Sequence, residues 1–515
     1  MSDNDKALEL RIEELSRELD ELTEINVQQS KYIKALEKKC KKKPGIFARV
    51  SKPFRMLSIL FAQIRKYPGL LWLFLTGRIP MRDIIWRVYV KMKYCVQLKV
   101  AMTRLWQIKK HGDRATPVSL ELKSLSNVYS FKFMNKQERE LTGHIMKAVN
   151  ARNFDFDETP FIEQLNLGLD HYRNKLSVTW LEDAETLISF GAYYTLSYKI
   201  RQICEEKIIA KYALSKRINF FDVRKLAVIY LNKKDFVKVN ETLRNGGKIW
   251  RQYNQEFYDY MLALANKESQ PNFNGDSKLK TIADNKYLDM IKGKNIAVIG
   301  PTNEALDTDE VLREFDLNVG LSYRGMQYLR EEVQSCGIDI AYYSKGSSLD
   351  SASEQSLDFY ADLKMAIFKS LTQFEHQNAL VSQHKARQLS QIGHKLQFQG
   401  SLNMLQLVLS DLVKFSPKRI KVYCINLFLS PASKRYSEKY YTSSTATKTG
   451  QIMFSLALHN LTGNYEFTKV MLDEGYFEAD EILDGILKLG VEEYLRQMEV
   501  MILDELKELR RAEVC

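Results

Sequence analysis

Cysteine is scarce in this chain, and its placement excludes more than its number does. The six cysteines, Cys40, Cys95, Cys204, Cys336, Cys424 and Cys515, form no CxxC or CxH cluster. That argues against a zinc site or a disulfide framework and suits a reducing compartment. No run of about 20 apolar residues occurs, so no spanning helix is expected; the longest candidate, GLLWLFLTG at Gly69–Gly77, is far too short. The first residues, MSDNDKALEL, are acidic and polar and do not read as a signal peptide. Acid is nearly absent from one region. Between Lys38 and Lys110 there are 19 Lys and Arg against the single Asp83. That segment carries +18 of a net +12, so the remainder is −6, and the basic character belongs to one region.

At 515 residues the chain exceeds the roughly 250–300 at which single cores stop growing, so several domains are expected. Residues 1–40 read as a coiled coil. Ile12, Leu19, Asn26 and Ile33 take the a positions of a heptad, and Leu8, Leu15, Leu22, Gln29 and Leu36 take d. Isoleucine at a with leucine at d favours a parallel dimer, and a buried Asn at a fixes its register; a homodimer is expected.

Residues 41–115 read as a basic amphipathic region. Phe54, Leu57, Leu60, Phe61 and Ile64 recur at helical spacing beside Arg55, Arg65 and Lys66, and Trp72, Trp86 and Trp106 are interleaved with basic residues. Apolar groups beside a polybasic surface suit an anionic membrane interface. Nucleic acid and a partner protein are rival readings of the same charge, and the apolar content favours lipid.

Residues 150–266 read as a helical, tetratricopeptide-like domain. LAVIYLNKKDFVKVNETL (Leu226–Leu243) and AETLISFGAYYTLSYKI (Ala184–Ile200) each have a helix–turn–helix rhythm; an irregular helical domain fits as well. Residues 267–285, rich in polar and turn residues, read as a linker. From residue 286 to 515 the texture is α/β, a Rossmann-like parallel sheet. Strands are expected at 295–300, 315–322, 338–344 and 419–428, and helices at Asp358–Gln373, Leu402–Phe415 and from about Tyr465 to Arg511. Ligands of such sheets sit at the carboxyl ends of the strands.

The chemistry is expected there. KNIAVIGPTN runs a buried strand into a turn at Gly300, where the missing Cβ allows close backbone approach. The turn is neither a P-loop nor GxGxxG, and Pro301 removes one amide donor. Asp307-Thr308-Asp309 has the DxD form of metal-dependent transferases, but it lies where carboxylates commonly begin a helix; no metal is expected. Asp473, Glu474, Glu478, Asp480 and Glu481 read as a solvated helix face.

VIGPTN, then EFDLNVGLSYRG, GIDIAYYS, FQGSLNMLQLVLSDLVKFSPKRIKVYCINLFLS, the tyrosine-rich RYSEKYYTSS and finally His459-Asn460 follow one another in order. This succession, over roughly residues 292–480, resembles the bacterial sialyltransferases of glycosyltransferase family 42 and, more loosely, related CMP-sugar transferases such as Kdo transferases. The resemblance implies that Gly300, Thr302, Asn303, Gly400, Ser401 and Asn426 bind the nucleotide. It implies that Tyr436 and Tyr440 bond the leaving phosphate, and that His459 is the general base, a role suited to a pKa near 6.5.

The implied activity is transfer of sialic acid, Kdo or another nonulosonate from a CMP donor to a bacterial surface glycan. It needs no cofactor beyond the donor and takes place in the cytoplasm, peripherally at the inner membrane, with other polysaccharide-synthesis proteins as candidate partners and without nucleic acid. The sequence departs from the family pattern at Pro301 and at Asn426, which replaces an acid. Those departures motivate the alternative of a catalytically inactive scaffold for a polysaccharide-synthesis complex.

Overall fold

The computed structural model describes residues 134–514, apart from 155–156, 190, 214–217, 220–221, 267–281, 303–311, 322, 324–330, 335, 344–359, 361, 370–379, 381–382, 390, 399, 401, 432–455 and 457–458. The expected coiled coil and basic region, the Asp307-Thr308-Asp309 motif, and Asn303, Ser401, Tyr436 and Tyr440 lie outside the described residues.

The described residues open with helices α1 (Lys136–Phe154), α2 (Thr159–His171), α3 (Val178–Ser189), α4 (Tyr194–Tyr212), α5 (Asp222–Asn232), α6 (Phe236–Asn245), α7 (Gly247–Tyr253) and α8 (Gln255–Ala265). Their starts are set locally. Asn135 Oδ1 accepts from the Glu138 amide while Glu138 Oε2 accepts from the Asn135 amide, so two amides at the head of α1 are satisfied reciprocally. Asp235 caps α6 through the Lys238 amide. The first six helices pack mainly as sequential pairs, α1 with α2, α3 with α4 and α5 with α6. The last two pairs turn at Gly191-Ala192 and Lys233-Lys234.

A further helix, α9 (Ile282–Ile291), begins within the span read as linker and buries Tyr287 and Ile291. The sheet follows: β1 (Asn295–Ile299), β2 (Leu317–Leu321), β3 (Ile340–Tyr343), β4 (Met365–Phe368), β5 (Ala386–Gln388), then α10 (Met404–Leu412), β6 (Arg419–Tyr423), α11 (Leu461–Asp473), β7 (Glu478–Ala479), α12 (Glu481–Lys488) and α13 (Val491–Val514). All seven strands are parallel, in the order β5-β4-β3-β2-β1-β6-β7. This is a Rossmann-like α/β fold.

Two expectations need correction. Met365–Phe368, inside the expected helix Asp358–Gln373, is a central strand with all four residues buried. A short apolar run with no period cannot be assigned to helix or strand from pattern alone. The acidic stretch near the C-terminus is not one solvated helix face. Glu478 is on β7 and pairs through both oxygens with Arg419, and Asp480 caps α12 by accepting from the Leu483 amide.

Alternate strand residues enter two separate cores, as the two-residue period of a strand requires. Ala297, Ile299, Ala341, Tyr343, Ala366 and Phe368 face one. Ile296, Val298, Val319, Ile340, Tyr342 and Ile367 face the other, and that cluster runs without a break into Leu165, Trp180, Ile200, Val228 and Phe257 of the helical layer.

Candidate functional site at the sheet's switch point

From β1 the chain moves to β2 on one side, and β6 returns to lie on the other side of β1. In open parallel sheets the crevice beyond the carboxyl ends of two such strands is the usual ligand position. The residues beyond β1 are Gly300, Pro301 and Thr302, and those beyond β6 run from Cys424 to Ser430. The amide of Gly300 donates to Tyr423 O at 2.9 Å and that of Thr302 to Cys424 O at 3.4 Å. The structure thus brings Gly300 and Thr302 beside the loop that carries Asn426.

Two of these residues have duties inside the fold. A Cβ on Gly300 would overlap the Cys424 carbonyl oxygen and Ile425 Cδ1. The space that a glycine leaves is filled by protein backbone, not kept open for a ligand. Asn426, 3% exposed, donates from Nδ2 to Ser430 Oγ at 2.8 Å and accepts at Oδ1 from the Phe428 amide at 3.0 Å. Its side chain shapes the loop, as Asn does in tight turns. Thr302 is also 3% exposed.

The loop after β6 is strained. Cys424, Leu427 and Phe428 have φ of 56°, 46° and 69°, where non-glycine residues are uncommon. Neighbouring elements hold it there. Asp480 Oδ2 accepts from the Cys424 amide at 2.8 Å, and Tyr494 Oη donates to Leu427 O at 2.6 Å. Strain of this sort persists only where the surroundings over-determine it, and it gathers at functional sites.

A second group lies at the starts of α10 and α11. Gly400 is exposed, with φ of 76°. The amide of Asn403 donates to Asn464 Oδ1 at 2.7 Å, and Asn464 Nδ2 donates to the carbonyls of His459 and, at 3.0 Å, Asn460. Gln397 Nε2 also donates to His459 O, at 3.4 Å. So His459 and the Gly400 turn are joined through one side chain, Asn464. The link from this group to the β6 loop runs through aromatics: Tyr465 of α11 stacks on Tyr494 at 4.6 Å between ring centroids.

The helical layer reaches the same place. Arg224 donates to the carbonyls of Lys395, at 3.0 Å, and Gln397, and Arg201 donates to Asn460 Oδ1 at 3.0 Å. Sequence reading missed this contribution, because nothing in an isolated arginine on α4 marks it as buried. It also missed the strained loop, since Leu427 and Phe428 carry no turn signal. Asp480, ahead of EILDGILK, does carry a readable capping signal.

Near the site, burial pushes the Tyr423 hydroxyl up to about 12, so it stays protonated at neutral pH. Among the described residues no group of three or more His, Cys, Asp or Glu side chains could hold a metal ion, and no helix is long and apolar enough to cross a membrane.

What fold and geometry define is a Rossmann-like protein with a structured, strained loop at its switch point. Comparison with protein-family models, with curated proteins and with solved structures finds no match to this chain.

Proposed function

We propose that this chain is a CMP-sugar-dependent glycosyltransferase, moving a nonulosonate-type sugar such as sialic acid or Kdo to a bacterial surface glycan. The observation that carries this reading is the meeting of the β1 turn (Gly300–Thr302) and the strained β6 loop (Cys424–Ser430) at the switch point of a parallel sheet. Nucleotides take that position in such sheets.

In this reading the nucleotide lies across Gly300, Thr302, Asn303, Gly400, Ser401 and Asn426. The acceptor hydroxyl attacks the anomeric carbon and gives its proton to His459. The bond from that carbon to the phosphate oxygen breaks, and CMP departs with the electron pair beside Tyr436 and Tyr440. In-line attack inverts the anomeric centre. The N-terminal heptads form the homodimer, and the basic region brings the enzyme to the inner membrane surface and raises its concentration near a lipid-linked acceptor. The helical layer is available to other polysaccharide-synthesis proteins.

Thermal unfolding with and without CMP tests the reading. A ligand at about 100 times its Kd stabilises by about 2.7 kcal/mol, so the midpoint should rise by a few degrees, and His459→Ala should keep that rise while losing transfer. No CMP effect on the intact chain would remove the transferase reading.

One observation favours the scaffold reading instead. Gly300 and Asn426 are both committed to packing and turn formation, so their presence does not require a nucleotide. An inactive scaffold predicts no response to CMP, or a response without transfer to any acceptor.

A further inference from the structure

Arg201 of α4 is completely buried, and its guanidinium spans two parts of the molecule. Nε donates to Glu205 Oε1 at 2.9 Å on its own helix. Nη2 donates to Glu466 Oε2 at 2.7 Å on α11, and Nη1 to Asn460 Oδ1 at 3.0 Å, at the cap of α11. Glu185 of α3 lies 3.9 Å from Nη1 and accepts from Asn460 Nδ2 at 2.8 Å. The surroundings complete the set. Asn232, the last residue of α5, donates to Glu466 at 2.8 Å, and Lys233 in the turn after it stands 3.6 Å from Glu205. The Lys225–Glu182 pair, Tyr198 and the buried Cys204 are further titratable groups that act on these carboxylates or are acted on by them, and the Phe398 ring lies 5.5 Å from the guanidinium carbon.

Asn460 is held at φ 51° while its Oδ1 also accepts from the Gly463 amide at 2.8 Å. A left-handed non-glycine residue needs its surroundings to over-determine it. Arg201 and Glu185, both from the helical layer, supply that constraint from outside α11. Position 463 is tight: a Cβ there would lie 3.2 Å from Asn460 Oδ1, 3.3 Å from Arg201 Nη1 and 3.5 Å from Gln397 Cδ, so the first two would have to give slightly. A buried ion cluster is poor value as stability alone, because apolar residues of the same volume often do as well. What it adds here is geometry: a forked donor that fixes several partners at once.

We propose that Arg201 is a positioning residue: through its guanidinium, with Glu185 beside it, the helical layer fixes the left-handed turn at Asn460, and with it His459 and the start of α11. That His459 serves catalysis rests on the transferase reading; the hold on Asn460 does not.

The test uses the full-length chain with Arg201→Lys, Arg201→Met, Asn460→Gly and the Arg201→Met/Asn460→Gly double variant. Asn460→Gly tolerates the positive φ but removes the side chain that Arg201 grips. Amide hydrogen exchange is read at Asn464–Glu466, with Ile296–Ile299 of β1 as the internal reference. Losing a hydrogen bond to a charged group should speed local exchange on the order of tenfold or more. Arg201→Met and Asn460→Gly should each do this at 464–466 to a clearly greater extent than at 296–299. The double variant should speed exchange by less than the product of the two single effects, because the Arg201–Asn460 contact is lost in both, and Arg201→Lys should recover part of the protection.

Additive effects, an equal rise in β1, or no rise at all would overturn the proposal. Should Arg201→Met fail to fold, Arg201→Lys and Asn460→Gly with their double variant carry the same comparison. CMP binding to the unmutated chain, measured by calorimetry, reports separately on the transferase reading: its absence removes the role given to His459 and leaves the exchange result to decide the hold on Asn460.

Discussion

Gly300 and Cys424 meet backbone to backbone across the gap between β1 and β6, so closely that a single methyl group on Gly300 would overlap the Cys424 carbonyl oxygen. Cys424 cannot withdraw easily. Its φ is 56°, and its amide is bonded to Asp480 Oδ2 at 2.8 Å. The close contact at the switch point is therefore fixed from both strands.

Gly300→Ala tests that contact. The clash is with backbone, which cannot rotate away as a side chain can, so overpacking should cost about 1–3 kcal/mol. Urea denaturation should show a lower midpoint with an unchanged slope. A variant as stable as the parent would mean that the strands part there at little cost.

A second buried ion cluster, around Arg387, should behave as a unit. Arg387 of β5 binds both oxygens of Asp411 of α10, at 2.6 and 3.1 Å, and reaches Asp284 of α9 at 2.9 Å. Tyr342 of β3 donates to Asp411 at 2.8 Å and exchanges a hydrogen bond with Tyr287. Asp411→Leu leaves a guanidinium buried with half its partners gone, a loss of about 3–5 kcal/mol. Adding Arg387→Met removes the stranded charge, so the double variant should be more stable than Asp411→Leu alone. Calorimetric unfolding of the parent, Asp411→Leu, Arg387→Met and the double variant gives the coupling, and strict additivity would show that the two residues do not act together.

How far these features could be read from the sequence follows from what kind of force makes them. Strands β1, β2, β3 and β6 were legible because each is a β-rich apolar run ending in turn or polar residues. Met365–Phe368 was not, because its run of four buried residues has neither period nor length to separate strand from helix. The turn at Gly300 was legible as a strand end, yet its reason for being glycine lies in Cys424, more than a hundred residues away. Asn426 was legible as a departure from an acid, while its use within the loop depends on the conformation of Leu427 and Phe428. Arg201 was invisible for the same reason: its partners Glu185, Asn460 and Glu466 come from separate stretches of chain, and only the fold makes them neighbours.

The Arg201 cluster also fixes the sign of a pH effect. Glu185, Glu205 and Glu466 contribute three negative charges against the two positive charges of Arg201 and Lys233, leaving one in excess in a buried place. Burial, opposed by Arg201, pushes both Glu185 and Glu466 from 4.5 up to about 7. A carboxyl whose pKa is higher in the folded than in the unfolded state holds its proton better when folded. Its contribution to stability is complete below the unfolded value and is lost as pH rises through the folded one. Between pH 4.5 and about 7 this cluster should therefore lose on the order of 2 kcal/mol, opposite in sign to an ordinary salt-bridged carboxylate. Glu466→Gln keeps an acceptor for Arg201 and Asn232 but removes the excess charge. The difference in unfolding free energy between this variant and the parent, measured in urea from pH 5 to pH 8, should move steadily in favour of the variant. If that difference stays constant with pH, the cluster carries no shared proton, and the two raised carboxyls are not what sets its charge.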